Sequence, residues 1–235
     1  MVNLIDQRMN IVSHLEELRR RLIWILGTLG VSFLIGWHYC TPIRHYIQKP
    51  IGHIPLVYLK LTDAFSAQLR VAFAVSVFLS IPVILYHVLQ FCAPVISKNT
   101  HRNIWIATAA GSVLFLMGGA FGFFVIAPNL IKMLLSFADA SLTPQITIDS
   151  YLSVIFSICL IFALIFELPL LMVILAKLKI ISHKYLSENR KYFILLNAII
   201  AGILTPPDVI SQMFMLVPLL VLFEIGTAAV YFVRK

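Results

Sequence analysis

The chain has 235 residues, of which 60% are hydrophobic and 12% charged, against roughly 45–50% apolar and about 25% charged in soluble domains. This composition excludes a soluble globular protein and marks an integral membrane protein. The net charge of +8 does not point to nucleic acid, because the basic residues lie between long apolar runs, where they set membrane orientation.

The first distinctive segment is "SHLEELRRRL", Ser13 to Leu22. Ser13 followed three residues later by Glu16 fits a capping box, which predicts a helix N-terminus with the Glu16 carboxylate reaching back to the Ser13 amide. Glu17 lies outside that box, is spaced for an i+4 pair with Arg21, and shares a face with His14. Leu15, Leu18, Leu22 and Ile25 continue as an apolar stripe. The segment reads either as a self-paired, solvated helix start whose arginines fix topology, or as a surface on which Glu17 accepts a cation.

Apolar runs near the ~20 residues that cross a ~30 Å hydrocarbon core fall at 22–39, 65–91, 104–127, 151–176, 192–204 and 209–233. Six transmembrane helices are expected. The first run is longer than a secretory h-region and lacks a small-x-small cleavage site, so it is expected to stay. Between the first two runs, 40–64 holds Pro42, Pro50 and Pro55 among aromatic and apolar residues and reads as an ordered cap or interfacial segment more than as a floppy linker. The second run carries Pro82 and the fourth Pro169, each removing a backbone donor and kinking its helix. The fifth run reaches only ~20 Å, short of the bilayer core. Its turn, "TPPD" at 205–208, makes the last two helices antiparallel neighbours.

Thirteen of the 18 basic residues lie in the N-terminal segment, the second and fourth connections and the tail; the other five (Arg44, Lys49, Lys60, Arg70, Lys132) lie on the opposite side. Both termini are therefore expected in the cytoplasm.

Among acids, Glu167 in "FELPL" is the sharpest, since a carboxylate inside a span must face a helix interface or a wet cavity. Glu224 in "FEIG" lies nearer the inner boundary, and Asp208 is placed to cap the last helix. Cys40, Cys92 and Cys159 lack metal spacing and are expected as free thiols. The histidines are scattered, and no phosphate loop, nucleophile elbow or zinc motif occurs. No enzyme, cofactor or metal is implied. The acids alone leave open a small secondary transporter or ion channel that uses Glu167 and Glu224 as proton or cation sites.

"HLEELRRRL", "PVILYHVLQFCAP", "FELPL", "ENRKY", "LTPPDVISQ" and "FEIG", in this order from residue 14 to 226, resemble the TatC subunit family of the twin-arginine protein translocase. The similarity extends from residue 11 to the C-terminus. It implies a single six-helix, glove-shaped membrane domain over 1–235, with a concave face, a cytoplasmic amphipathic helix over 1–21 and the cap at 40–64. The implied function is a receptor and core subunit in the bacterial inner membrane. It would bind twin-arginine signal peptides of folded cargo, work with single-span TatA and TatB partners, and use the proton-motive force. By this resemblance Glu17 matches the carboxylate that recognises the arginines, and Arg19 and Arg21 its basic neighbours. Glu167 matches a polar residue of the concavity, Asp208 and Glu224 acids of the last hairpin, and Pro50 a proline of the cap. The family's second recognition glutamate falls at Thr100 here, in an acid-free loop. Threonine hydroxyl and carbonyl groups, Glu16, Glu188 or an altered selectivity are the alternatives, with Glu16 favoured because it adjoins Glu17.

Overall fold

The computed structural model describes residues 2–49, 55–92, 100–136, 145–204 and 209–233. Ten α-helices and one short strand pair make up these residues. In chain order they are α1 (Val2–His38), α2 (Cys40–Ile47), β1 (Leu56–Val57), α3 (Asp63–Cys92), α4 (Thr100–Phe121), a π-helical turn (Gly122–Ile126), α5 (Ala127–Ser136), β2 (Ile146–Thr147), α6 (Ile148–Phe166), α7 (Leu168–Lys177), α8 (His183–Glu188), α9 (Arg190–Leu204) and α10 (Val209–Val233).

Among the described residues, five stretches are long and apolar enough to cross a membrane: Leu15–His38, Asp63–Phe91, Ile104–Ser136, Ile148–Lys177 and Gln212–Phe232. The segment expected as a fifth span of six is present as α9, with 15 residues and a length of about 22 Å, short for a bilayer core. The third stretch runs past its expected end at 127. The Ala127 N–H donates to the Gly122 carbonyl, an i→i+5 bond that carries the helix through the π turn into α5.

One expectation is corrected at the N-terminus. Helix α1 runs unbroken from Val2, so Ser13 lies eleven residues inside it and does not cap a helix. A local Ser-x-x-Glu pattern satisfies donors only where the helix begins. Glu16 is thereby released from the capping role.

The chain divides into two compact units, one of Met1–Tyr46 with Ala64–Ser112 and one of Ile47–Asp63 with Val113–Lys235. In the first, α1 and α3 meet along small residues. A Cβ on Gly36 would stand 2.8 Å from the Ala72 carbonyl oxygen. The Ser76 hydroxyl donates to the Leu29 carbonyl at 2.8 Å, and the Ser80 and Ser32 hydroxyls bond at 3.1 Å. Small residues at a helix interface let backbones approach, and buried hydroxyls gain partners across it. The face turned away exposes Leu22, Ile23, Trp24, Leu26, Val31 and Leu34, as a lipid-facing surface should.

In the second unit, α10 packs against α7, α9, α8 and α6, and α6 against the π turn. Met172, Ala176, Leu186, Phe223 and Val230 form a buried cluster there. Gly118 is required at its place, since a Cβ would stand 2.5 Å from the Phe162 carbonyl oxygen and 2.8 Å from Ala163 Cα. Within the stretch expected as a cap, Leu56 and Val57 pair in parallel with Ile146 and Thr147. Tyr151 donates to the Ile47 carbonyl at 2.8 Å, and Asp63 Oδ2 accepts from the Leu59 and Lys60 amides, both at 3.0 Å. Pro50 lies outside the described residues.

Candidate functional site

The acid-and-arginine segment sits on α1 of the first unit. One turn separates Glu17 from Arg21, so helical register brings them together. Arg21 Nε donates to Glu17 Oε1 at 3.1 Å, and Nη2 meets the same oxygen. The other end of the guanidinium reaches α3. There Nη1 donates to Gln90 Oε1 at 2.8 Å and to the His87 carbonyl at 3.3 Å. The Arg21 side chain is 13% exposed and that of Glu17 39%. Glu17 is thus a fixed, negatively polarised acceptor that still meets solvent. Glu16, Arg19 and Arg20 are exposed on the same helix. Next to His87 in the chain, the Tyr86 ring lies 5.1 Å from that of Trp105.

The sequence reading anticipated the Glu17–Arg21 pair but not its support. Gln90 and the His87 carbonyl stand 69 and 66 residues from Arg21, and no local spacing announces such a contact. Thr100 is the first residue of α4; its side chain lies outside the described residues.

In the second unit, Glu167 closes α6 and opens α7. Its N–H donates to the Leu164 carbonyl at 3.1 Å, and its carbonyl accepts from Leu171 at 2.9 Å. The helix tightens there because Pro169 has no N–H to give the Ile165 carbonyl of the preceding turn. The carboxyl Oε1 is buried without a hydrogen-bond partner among the described residues. Glu224, on α10, pairs with Arg190 of α9, with Nη2 to Oε2 at 2.6 Å and both side chains about half exposed. Asp208 lies outside the described residues. Glu188 forms an exposed pair with Lys184 at 3.7 Å.

The family model for Sec-independent protein translocase protein (TatC) matches residues 13–218. This chain belongs to the TatC family. The TatC of Carboxydothermus hydrogenoformans is 34% identical over 232 residues, which cover 97% of this chain and 96% of that one. The TatC of Escherichia coli K12 is 34% identical over 228 residues, covering 94% and 88%. A crystal structure of the twin-arginine translocase receptor TatC, in DDM, superposes with a TM-score of 0.81 at 29% identity and covers 92% of this chain and 99% of that one.

TatC membership makes this chain a multi-pass membrane subunit of a protein translocase, in a transport family and not an enzyme family. It also replaces the small-transporter alternative.

Proposed function

We propose that this chain is the receptor subunit of its translocase, binding twin-arginine signal peptides of folded proteins and organising TatA- and TatB-like single-span subunits for export driven by the proton-motive force. The observation that carries the reading is the setting of Glu17: a carboxylate on a long helix, bonded by Arg21 one turn on and 39% exposed at its side chain. A peptide guanidinium meets a carboxylate through two parallel charge-assisted bonds, which a lysine does not reproduce. Glu16 and Arg19 lie beside Glu17 on exposed positions of α1. Glu16 takes the second arginine in place of an acid at Thr100.

The whole chain acts as one membrane domain of the bacterial inner membrane with both termini in the cytoplasm, in keeping with its basic-residue bias. Glu167, Asp208 and Glu224 serve as polar positions for peptide or partner helices, and Pro50 shapes the outer cap. The test is binding of a fluorescent Arg-Arg signal peptide to the protein in nanodiscs, with a Lys-Lys peptide as control. The reading expects a clear Arg-Arg preference that Glu17→Ala removes while membrane insertion is kept. Equal binding of the Arg-Arg peptide by Glu17→Ala and the parent would refute it.

A further inference from the structure

Arg21 uses the two ends of its guanidinium differently. Nε and Nη2 meet Glu17 Oε1, whereas Nη1 alone takes two neutral acceptors on α3, Gln90 Oε1 at 2.8 Å and the His87 carbonyl at 3.3 Å. We propose that Gln90 is a positioning residue for peptide recognition: with the His87 carbonyl it retains Arg21 when an external guanidinium takes the Glu17 carboxylate. The proposal rests on the reading that Glu17 receives a signal-peptide arginine.

The physical need arises from burial. A guanidinium is a permanent cation, and the Arg21 side chain is only 13% exposed. A covered cation that loses its carboxylate is costly unless other acceptors satisfy its N–H groups. Gln90 lies in the last turn of α3, which ends at Cys92, where the negative end of the helix dipole favours a cation. A neutral carboxamide suits an exchange. It is too weak to strip Arg21 from Glu17 at rest, yet it keeps the guanidinium bonded when Glu17 turns to the peptide.

A plain tether between α1 and α3 would need no such residue. The Ser76–Leu29 and Ser80–Ser32 bonds and the close approach of Gly36 to Ala72 already join the two helices. The Gln90 contact lies away from that seam, at the level of Glu17.

The test measures Arg-Arg signal-peptide affinity of the full chain in nanodiscs for the parent, Gln90→Leu, Gln90→Glu and Arg21→Gln, alone and combined with Gln90→Leu. Losing one acceptor is expected to weaken binding by Gln90→Leu about three- to tenfold. In the Arg21→Gln background, Gln90→Leu is expected to change nothing further. Gln90→Glu, which holds Arg21 outright, is expected to bind at least as tightly as the parent. Parent-like binding by Gln90→Leu, an undiminished penalty in the Arg21→Gln background, or Gln90→Glu as weak as Gln90→Leu overturns the proposal. Glu17→Gln, run alongside, separates the two layers: if it keeps the Arg-Arg preference, the receptor reading fails, whereas a sensitive Glu17 with an insensitive Gln90 refutes the exchange alone.

Discussion

Glu17 and Glu167 are both carboxylates on apolar helices, and the two helices treat them in opposite ways. Glu17 stands on an unbroken helix whose register delivers Arg21 one turn later, with α3 holding the far end of that arginine. Glu167 stands where α6 gives way to α7, and its buried Oε1 has no partner among the described residues. Regular helix geometry supplies a charge with its counter-charge, while a break redirects the backbone and leaves the side chain to find a partner elsewhere. The first arrangement holds a carboxylate in a defined place at a partly exposed position. The second leaves one buried carboxyl oxygen without a partner among the described residues, and an unmatched acceptor inside a span costs stability.

The contrast can be broken at either acid. The largest effect is expected from Glu17→Gln, which removes charge and leaves size. Loss of a charge-assisted bond predicts a roughly ten- to hundredfold weaker Arg-Arg peptide in a binding titration, and little change for Lys-Lys. At the other acid, Glu167→Leu replaces by an apolar side chain a carboxyl whose buried Oε1 has no partner among the described residues. Its unfolding in detergent should show a gain of about 1–2 kcal/mol, while export of a folded reporter in cells falls. A less stable Glu167→Leu protein would mean that the carboxyl is well bonded.

Smaller effects sharpen the comparison. Thr100→Glu restores an acid at the start of α4 and is expected to tighten Arg-Arg binding about three- to tenfold, as one more charge-assisted contact forms. Unchanged affinity would assign that function to another group, Glu16 first. Glu224→Gln removes an ion pair whose two members are 49% and 53% exposed. Such pairs contribute less than about 1 kcal/mol, so the melting temperature should barely move. A loss of several degrees would reveal a coupling between α9 and α10 stronger than solvent screening allows.

Much of this was legible in the residues. Apolar run lengths match the five long apolar stretches among the described residues, the 13-residue run anticipated the short α9, and Pro169 marked the break between α6 and α7. Pro82, expected to kink its helix, leaves α3 continuous from Asp63 to Cys92; a proline removes one bond, and the neighbouring packing decides whether the helix stops. The capping-box reading failed because Ser-x-x-Glu is a local pattern that does not register the helical turns before it. The π turn carries no clear sequence sign of its own: it lies where Gly122 brings α6 close, a Cβ there standing 3.1 Å from Cys159 Cα. The β1–β2 pairing joins residues 90 positions apart, and the Arg21–Gln90 contact is equally non-local. For the site, helical spacing revealed the Glu17–Arg21 pair, whereas its anchorage depended on the meeting of two distant helices.

The most direct measurement is site-specific photocross-linking to a signal peptide from a probe at Leu18, an exposed position of α1 (45% exposed) next to Glu17. The account predicts an adduct with an Arg-Arg peptide that is lost with Lys-Lys and lost again in Glu17→Gln. An adduct of equal yield with Lys-Lys, or one that survives Glu17→Gln, would contradict it.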